Sequence, residues 1–129
     1  MEVRLANSRI PFAKYEQIVR SKLDKLFPGQ NVRPVSDGKA VVQRLFPNVY
    51  ATDSYRDPTS PLGRQNPEGW HSISNAGVDV RPIPGMTFQQ YVDKIREHYY
   101  VIEALDEATY PIKDHTTGPH WHVVIGEKQ

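Results

Sequence analysis

The chain contains no cysteine. That absence excludes a disulfide scaffold, thiolate metal sites and cysteine nucleophiles. It does not fix a compartment, because a chain without thiols tolerates either redox environment. No apolar run approaches the roughly 20 residues needed to cross a bilayer as a helix, so no membrane span is expected. Charge of one sign is not in surplus either. Sixteen Lys+Arg stand against fifteen Asp+Glu, for a net charge of +1. This near balance removes the main electrostatic argument for nucleic acid or an anionic membrane as partner. The opening residues Met1-Glu2-Val3-Arg4 lack the basic-then-apolar layout of a secretory signal peptide. Internal repeats, low-complexity tracts and charge blocks are missing as well.

What is present fits one globular domain. The chain has 129 residues, 38% hydrophobic, 24% charged and 10% aromatic, enough for a single core. Eleven prolines and eight glycines imply much turn and loop. Five histidines are the main chemical resource.

Apolar spacing predicts an amphipathic helix over Pro11–Phe27. Phe12, Tyr15, Ile18, Val19, Leu23, Leu26 and Phe27 lie near a 3.6-residue period, and Pro28-Gly29 stops it. Ser36 or Asp37 is placed to cap a second short helix through Val41, Val42, Leu45 and Phe46, ended by Pro47. Val49–Tyr55 has the β-branched and aromatic content of a strand. Arg56–Gly69 has prolines, glycines and no periodicity, which predicts a long surface loop. Gly77–Ile83 alternates as a strand, Pro84-Gly85 makes a turn, and Thr87 caps a third helix that buries Phe88, Tyr91, Val92 and Ile95. Tyr100–Ala104 and Trp121–Ile125 read as strands, with a loop over Asp106–Pro119 between them. The expected fold class is α+β, with a small mixed or antiparallel sheet and helices packed on one face. Within a single unit over 1–129, residues 1–47 form a helical N-terminal part and 48–126 the core.

Three residues suit a metal site: His71, Asp79 and His122. Imidazole nitrogen and carboxylate oxygen are normal zinc ligands, and three of them leave a fourth position open. His120 and His122 are two apart on a predicted strand and share a face. Asp79 faces the same way as Gly77 and Arg81, and Gly77 leaves space beside it. Spacing alone is also compatible with two half-exposed imidazoles and a strand aspartate that pairs locally.

A family resemblance adds to this. Ser54-Tyr55-Arg56, a loop carrying Leu62-Gly63 and Asn66-Pro67, His71 with Gly77-Val78-Asp79, and His120-Trp121-His122 together resemble the zinc D-Ala-D-Ala carboxypeptidases and L-Ala-D-Glu endopeptidases. Many phage endolysins belong to that group, whose shared fold is called the hedgehog/DD-peptidase fold. The stretches Asp79–Phe88 and Thr117–Val124 look especially like phage-encoded and lytic-enzyme members. The likeness covers roughly Val49–Ile125, and the first forty residues match no named family. It implies that His71, Asp79 and His122 hold Zn²⁺ and that Arg56 lies near a substrate carboxylate, a task suited to a guanidinium fork. It implies hydrolysis of an amide bond in peptidoglycan stem peptides, by a phage-type enzyme acting in the bacterial periplasm or cell wall, with phage virion or lytic proteins as possible partners.

The chain departs from the family pattern twice. Seven residues, Ser72 to Val78, separate His71 from Asp79, one more than the family spacing. Pro119 stands three before His122, where the carboxypeptidases carry an acidic general base. His120, as in the His-x-His branch of such peptidases, is the first candidate for that base, Glu103 the second, and Asp106 and Glu107 weaker ones. His115 lies in the loop expected to overhang the site, His98 on the third helix, and Trp70 and Trp121 beside two ligand candidates. Other classes stay open: a non-catalytic zinc-containing structural or wall-binding module of a phage virion or lytic protein, a toxin-associated effector on the same fold, and a metal nuclease. The absence of a basic surplus counts against the nuclease.

Overall fold

The structure, a computed structural model, describes residues 12–53, 74–109 and 119–128. Its elements run α1 (Phe12–Leu26), β1 (Val32–Pro34), α2 (Gly38–Leu45), β2 (Ala51–Asp53), β3 (Gly77–Val80), α3 (Phe88–Arg96), β4 (Tyr100–Asp106) and β5 (Trp121–Lys128). The fold is α+β, and every strand pair among the described residues is antiparallel. Among the described residues no helix is long and apolar enough to cross a membrane.

Local chemistry explains the helix boundaries. Asp37, rather than Ser36, caps α2, its carboxylate accepting from the Ala40 N–H at 3.1 Å. Thr87 caps α3 in a reciprocal capping box with Gln90. Before it, the Met86 N–H donates to the Ile83 carbonyl and Gly85 sits at φ +80°, so Pro84-Gly85 makes the expected turn with glycine in the left-handed position.

β5 organises the sheet. Trp121 is opposite both Val80 of β3 and Asp106 of β4, and Gly126 is opposite both Pro34 of β1 and Tyr100 of β4. β4 therefore runs along one edge of β5, while β3 and then β1 share the other. β2 extends the sheet beyond β3. Val78, Val80, Trp121 and Val123 are buried. Trp121 meets Tyr91 and Phe88 of α3 at ring-centroid distances of 5.3 and 5.9 Å, and Tyr91 in turn meets Phe46 at 5.0 Å. Ile18, Val19 and Leu23 of α1 are buried in the same cluster, and Arg20 ties that helix to β1 by donating to the Val32 carbonyl at 3.2 Å.

Several boundaries differ from the sequence reading. β1 lies inside the stretch read as helical. Three residues ending in proline carry no period, and they become a strand only because β5 offers a partner. The strand expected over Gly77–Ile83 ends at Val80, before Pro82, which has no N–H to continue a ladder. β4 and β5 both run past their expected ends. β4 also contains a bulge: Val101 is opposite Ile125 but Glu103 is opposite Val124, so Ile102 is the extra residue.

Candidate functional site

Strand register builds the site. Asp79 of β3 and His122 of β5 are direct cross-strand partners, so their side chains leave the sheet on one face. Thr52 of β2 is opposite Asp79 on its other side. Across β4, Leu105 is the direct partner of His122, and Glu103 is the diagonal neighbour on that face. The bulge makes this possible. Without Ile102 as an extra residue, period-2 alternation would turn Glu103 to the Trp121–Val123 face.

The result is an imidazole between two carboxylates. His122 Nδ1 lies 2.9 Å from Asp79 Oδ1, and Nε2 lies 3.0 Å from Glu103 Oε1. The imidazole is 1% exposed, against 24% for Asp79 and 38% for Glu103. Burial alone disfavours the charged ring. The hydrogen bonds and charges of Asp79 and Glu103 outweigh it and raise the His122 pKa to about 9. At neutral pH the ring is an imidazolium donating from both nitrogens.

A second polar row lies beside the first. Extending the two β5 ladders by one position sets Arg81 and Glu107 opposite His120. His120 Nε2 pairs with the Glu107 carboxylate, and both side chains are mostly buried. The turn that carries Glu107 is pinned by Asp106, whose Oδ1 accepts from the N–H groups of Ala108 and Thr109 at 3.1 and 3.0 Å. Asp79, Thr52, Tyr50, Arg81 and His120 line an open groove of about 760 Å³. Beneath the sheet, Tyr91 has a buried hydroxyl with no hydrogen-bond partner among the described residues. Burial, then the Asp79 charge, raises its pKa, so the phenol stays neutral.

Two of the three ligand candidates, Asp79 and His122, are thus side by side, with Glu103 against the same ring and His120 at the groove wall. His71, Arg56, Trp70 and His115 lie outside the described residues. His98 follows α3 rather than lying on it, and is exposed. Trp121 belongs to the aromatic core on the opposite face from His122 and does not wall the site. Glu107 emerges as the partner of His120. Its signal in the sequence is the shared hairpin-like register of β4 and β5, visible only once the bulge is known.

Among the described residues, no three His, Asp or Glu side chains form a group arranged to hold an ion. The donor chemistry nevertheless suits zinc. Ligand atoms about 2.0–2.2 Å from one tetrahedral zinc lie about 3.3–3.6 Å apart, so the His122–Asp79 and His122–Glu103 gaps of 2.9 and 3.0 Å would widen by about 0.3–0.7 Å to admit one. Protons occupy the positions between the donors. Either gap could take an ion once the imidazolium loses a proton. Comparison with family models, curated proteins and solved structures gives no match for this chain.

Proposed function

We propose that the protein is a zinc-dependent peptidase of the hedgehog/DD-peptidase type that hydrolyses an amide bond in peptidoglycan stem peptides, as phage lytic enzymes do. The observation that carries the reading is the Asp79–His122 pair: a carboxylate and an imidazole from distant parts of the chain, set 2.9 Å apart beside an open groove. The resemblance of the His71, Asp79 and His-x-His segments to that family supports it.

In this reading His71, Asp79 and His122 would hold the zinc. When bound, zinc polarises a carbonyl and lowers the pKa of water to about 7. His120 takes a proton from the attacking water and delivers it to the leaving nitrogen as the C–N bond breaks. Glu107, paired with His120 Nε2, fixes the orientation of the ring. Glu103 holds the far side of His122 and is the second candidate for the base. Arg56 receives a substrate carboxylate.

The test is amine release and turbidity loss with purified peptidoglycan, alongside zinc content by elemental analysis. Hydrolysis that stops with chelator and returns with zinc is expected. A protein that takes up no zinc, or hydrolysis indifferent to chelator, overturns the reading. A second reading, a non-catalytic zinc-containing structural or wall-binding module of a phage virion or lytic protein, is favoured by Pro119 in the place of the family's acidic base. It predicts zinc uptake and peptidoglycan binding without amine release.

A further inference from the structure

A second groove of about 510 Å³ adjoins the Asp79 groove. Phe46, Val49 and Ile83 give it an apolar lining, and among the described residues Arg81 and Lys94 are its charged ones and no carboxylate lines it. Tyr50, Arg81 and Pro82 line both grooves, which makes one continuous trough.

Arg81 stands at the junction and is held in place. Its N–H donates to the Tyr50 carbonyl at 3.1 Å, continuing the β2–β3 ladder by one rung. Its guanidinium carbon lies 4.2 Å from the centroid of the Tyr50 ring, a cation–π contact. Tyr50 is 59% exposed, so this stack stands at the surface of the trough. No hydrogen bond or ion pair joins the Arg81 guanidinium to another described residue. A guanidinium fixed over a ring still presents its N–H fork, and the fork matches a carboxylate. Lys94, 5.1 Å from the Phe46 ring centroid, adds a second cation farther along. The net charge of the chain is only +1, so this is a local concentration of positive charge on an apolar floor.

We propose that the trough is a peptide-binding cleft in which Arg81, seated on Tyr50, anchors a carboxylate of the substrate peptide, while the apolar groove and Lys94 receive the part of the peptide beyond it. This deepens, and rests on, the peptidase reading, and it adds a carboxylate anchor to Arg56. Charge complementarity selects the occupant. An acidic peptide satisfies two cations and an apolar floor at once.

The experiment is calorimetric titration of the full chain with a synthetic stem tetrapeptide, once with its carboxylates free and once with them amidated. The wild type is expected to bind the free acid at least about tenfold more tightly, because a desolvated charge-assisted pair is lost on amidation. R81Q is expected to keep less than half of that discrimination, the remainder coming from Arg56, with R81K in between because a lysine lacks the fork. Arg81 is exposed, and an unchanged circular-dichroism melt certifies the fold of each variant. Equal affinity of the wild type for both peptides, or full discrimination by R81Q, overturns the proposal. Cleavage is followed in the same samples. Cleavage without discrimination removes the anchor and leaves the peptidase reading standing. Discrimination without cleavage or zinc uptake removes the peptidase reading and supports the anchor.

Discussion

Asp79 and His122 are separated by 43 positions in the chain and by 2.9 Å in space. The antiparallel register of β3 and β5 sets them opposite each other, so the contact is a property of the sheet rather than of a mobile loop.

Replacing either member of that pair is expected to abolish zinc uptake. In H122A and D79A, elemental analysis should find no bound zinc, whereas the wild type is expected to take up one equivalent. Retention of metal by either variant at wild-type level would remove the replaced residue from the ligand set.

The His122 pKa sets the sign of a pH effect. In the metal-free protein it is raised from 6.5 to about 9, so the stabilisation it brings is complete below about pH 6.5 and is lost as the pH rises through about 9. A shift of this size corresponds to at most about 3 kcal/mol. Urea melts of the apo-protein should therefore show falling stability between pH 6.5 and 9. Zinc affinity should rise over the same interval, because the ion must displace a proton. Stability that is flat across that interval would contradict the imidazolium.

His120 and Glu107 should separate binding from chemistry. H120A is expected to keep its zinc and lose most of its hydrolysis, a fall of about 10²-fold or more for a lost general base. E107Q should show a smaller fall with metal content unchanged, as only the orientation of His120 is disturbed. Undiminished turnover in H120A would transfer the base to Glu103.

Close packing beneath β3 gives a stability prediction. A Cβ on Gly38 would lie 2.3 Å from the Ala76 carbonyl oxygen, and the Gly38 N–H already donates to the Asn75 carbonyl at 2.9 Å. Backbone on both sides cannot give way cheaply. G38A is expected to cost about 1–3 kcal/mol, read as a lower midpoint in a thermal melt.

What was legible in the sequence was whatever depends on near neighbours. Asp37, Thr87 with Gln90, and Pro84-Gly85 carry their chemistry locally, and the alternation through Gly77–Val80 and Trp121–Ile125 shows which side chains share a face. β1 was hidden because Val32–Pro34 has no pattern of its own. The bulge at Ile102 was hidden because an inserted residue leaves no mark in the alternation of Tyr100–Ala104. Glu103 could be suspected from strand adjacency, but which way it points depends on that one residue. The pairing of Glu107 with His120 needed the register of β4 against β5, which no local signal encodes.

β5 is flanked on both edges and supplies His122 from its interior. Its amides should be among the last to exchange with solvent, opening only when the whole domain does. A ligand gripping His122 would then slow exchange throughout the sheet, so occupancy of one ring could be followed from amides far away from it.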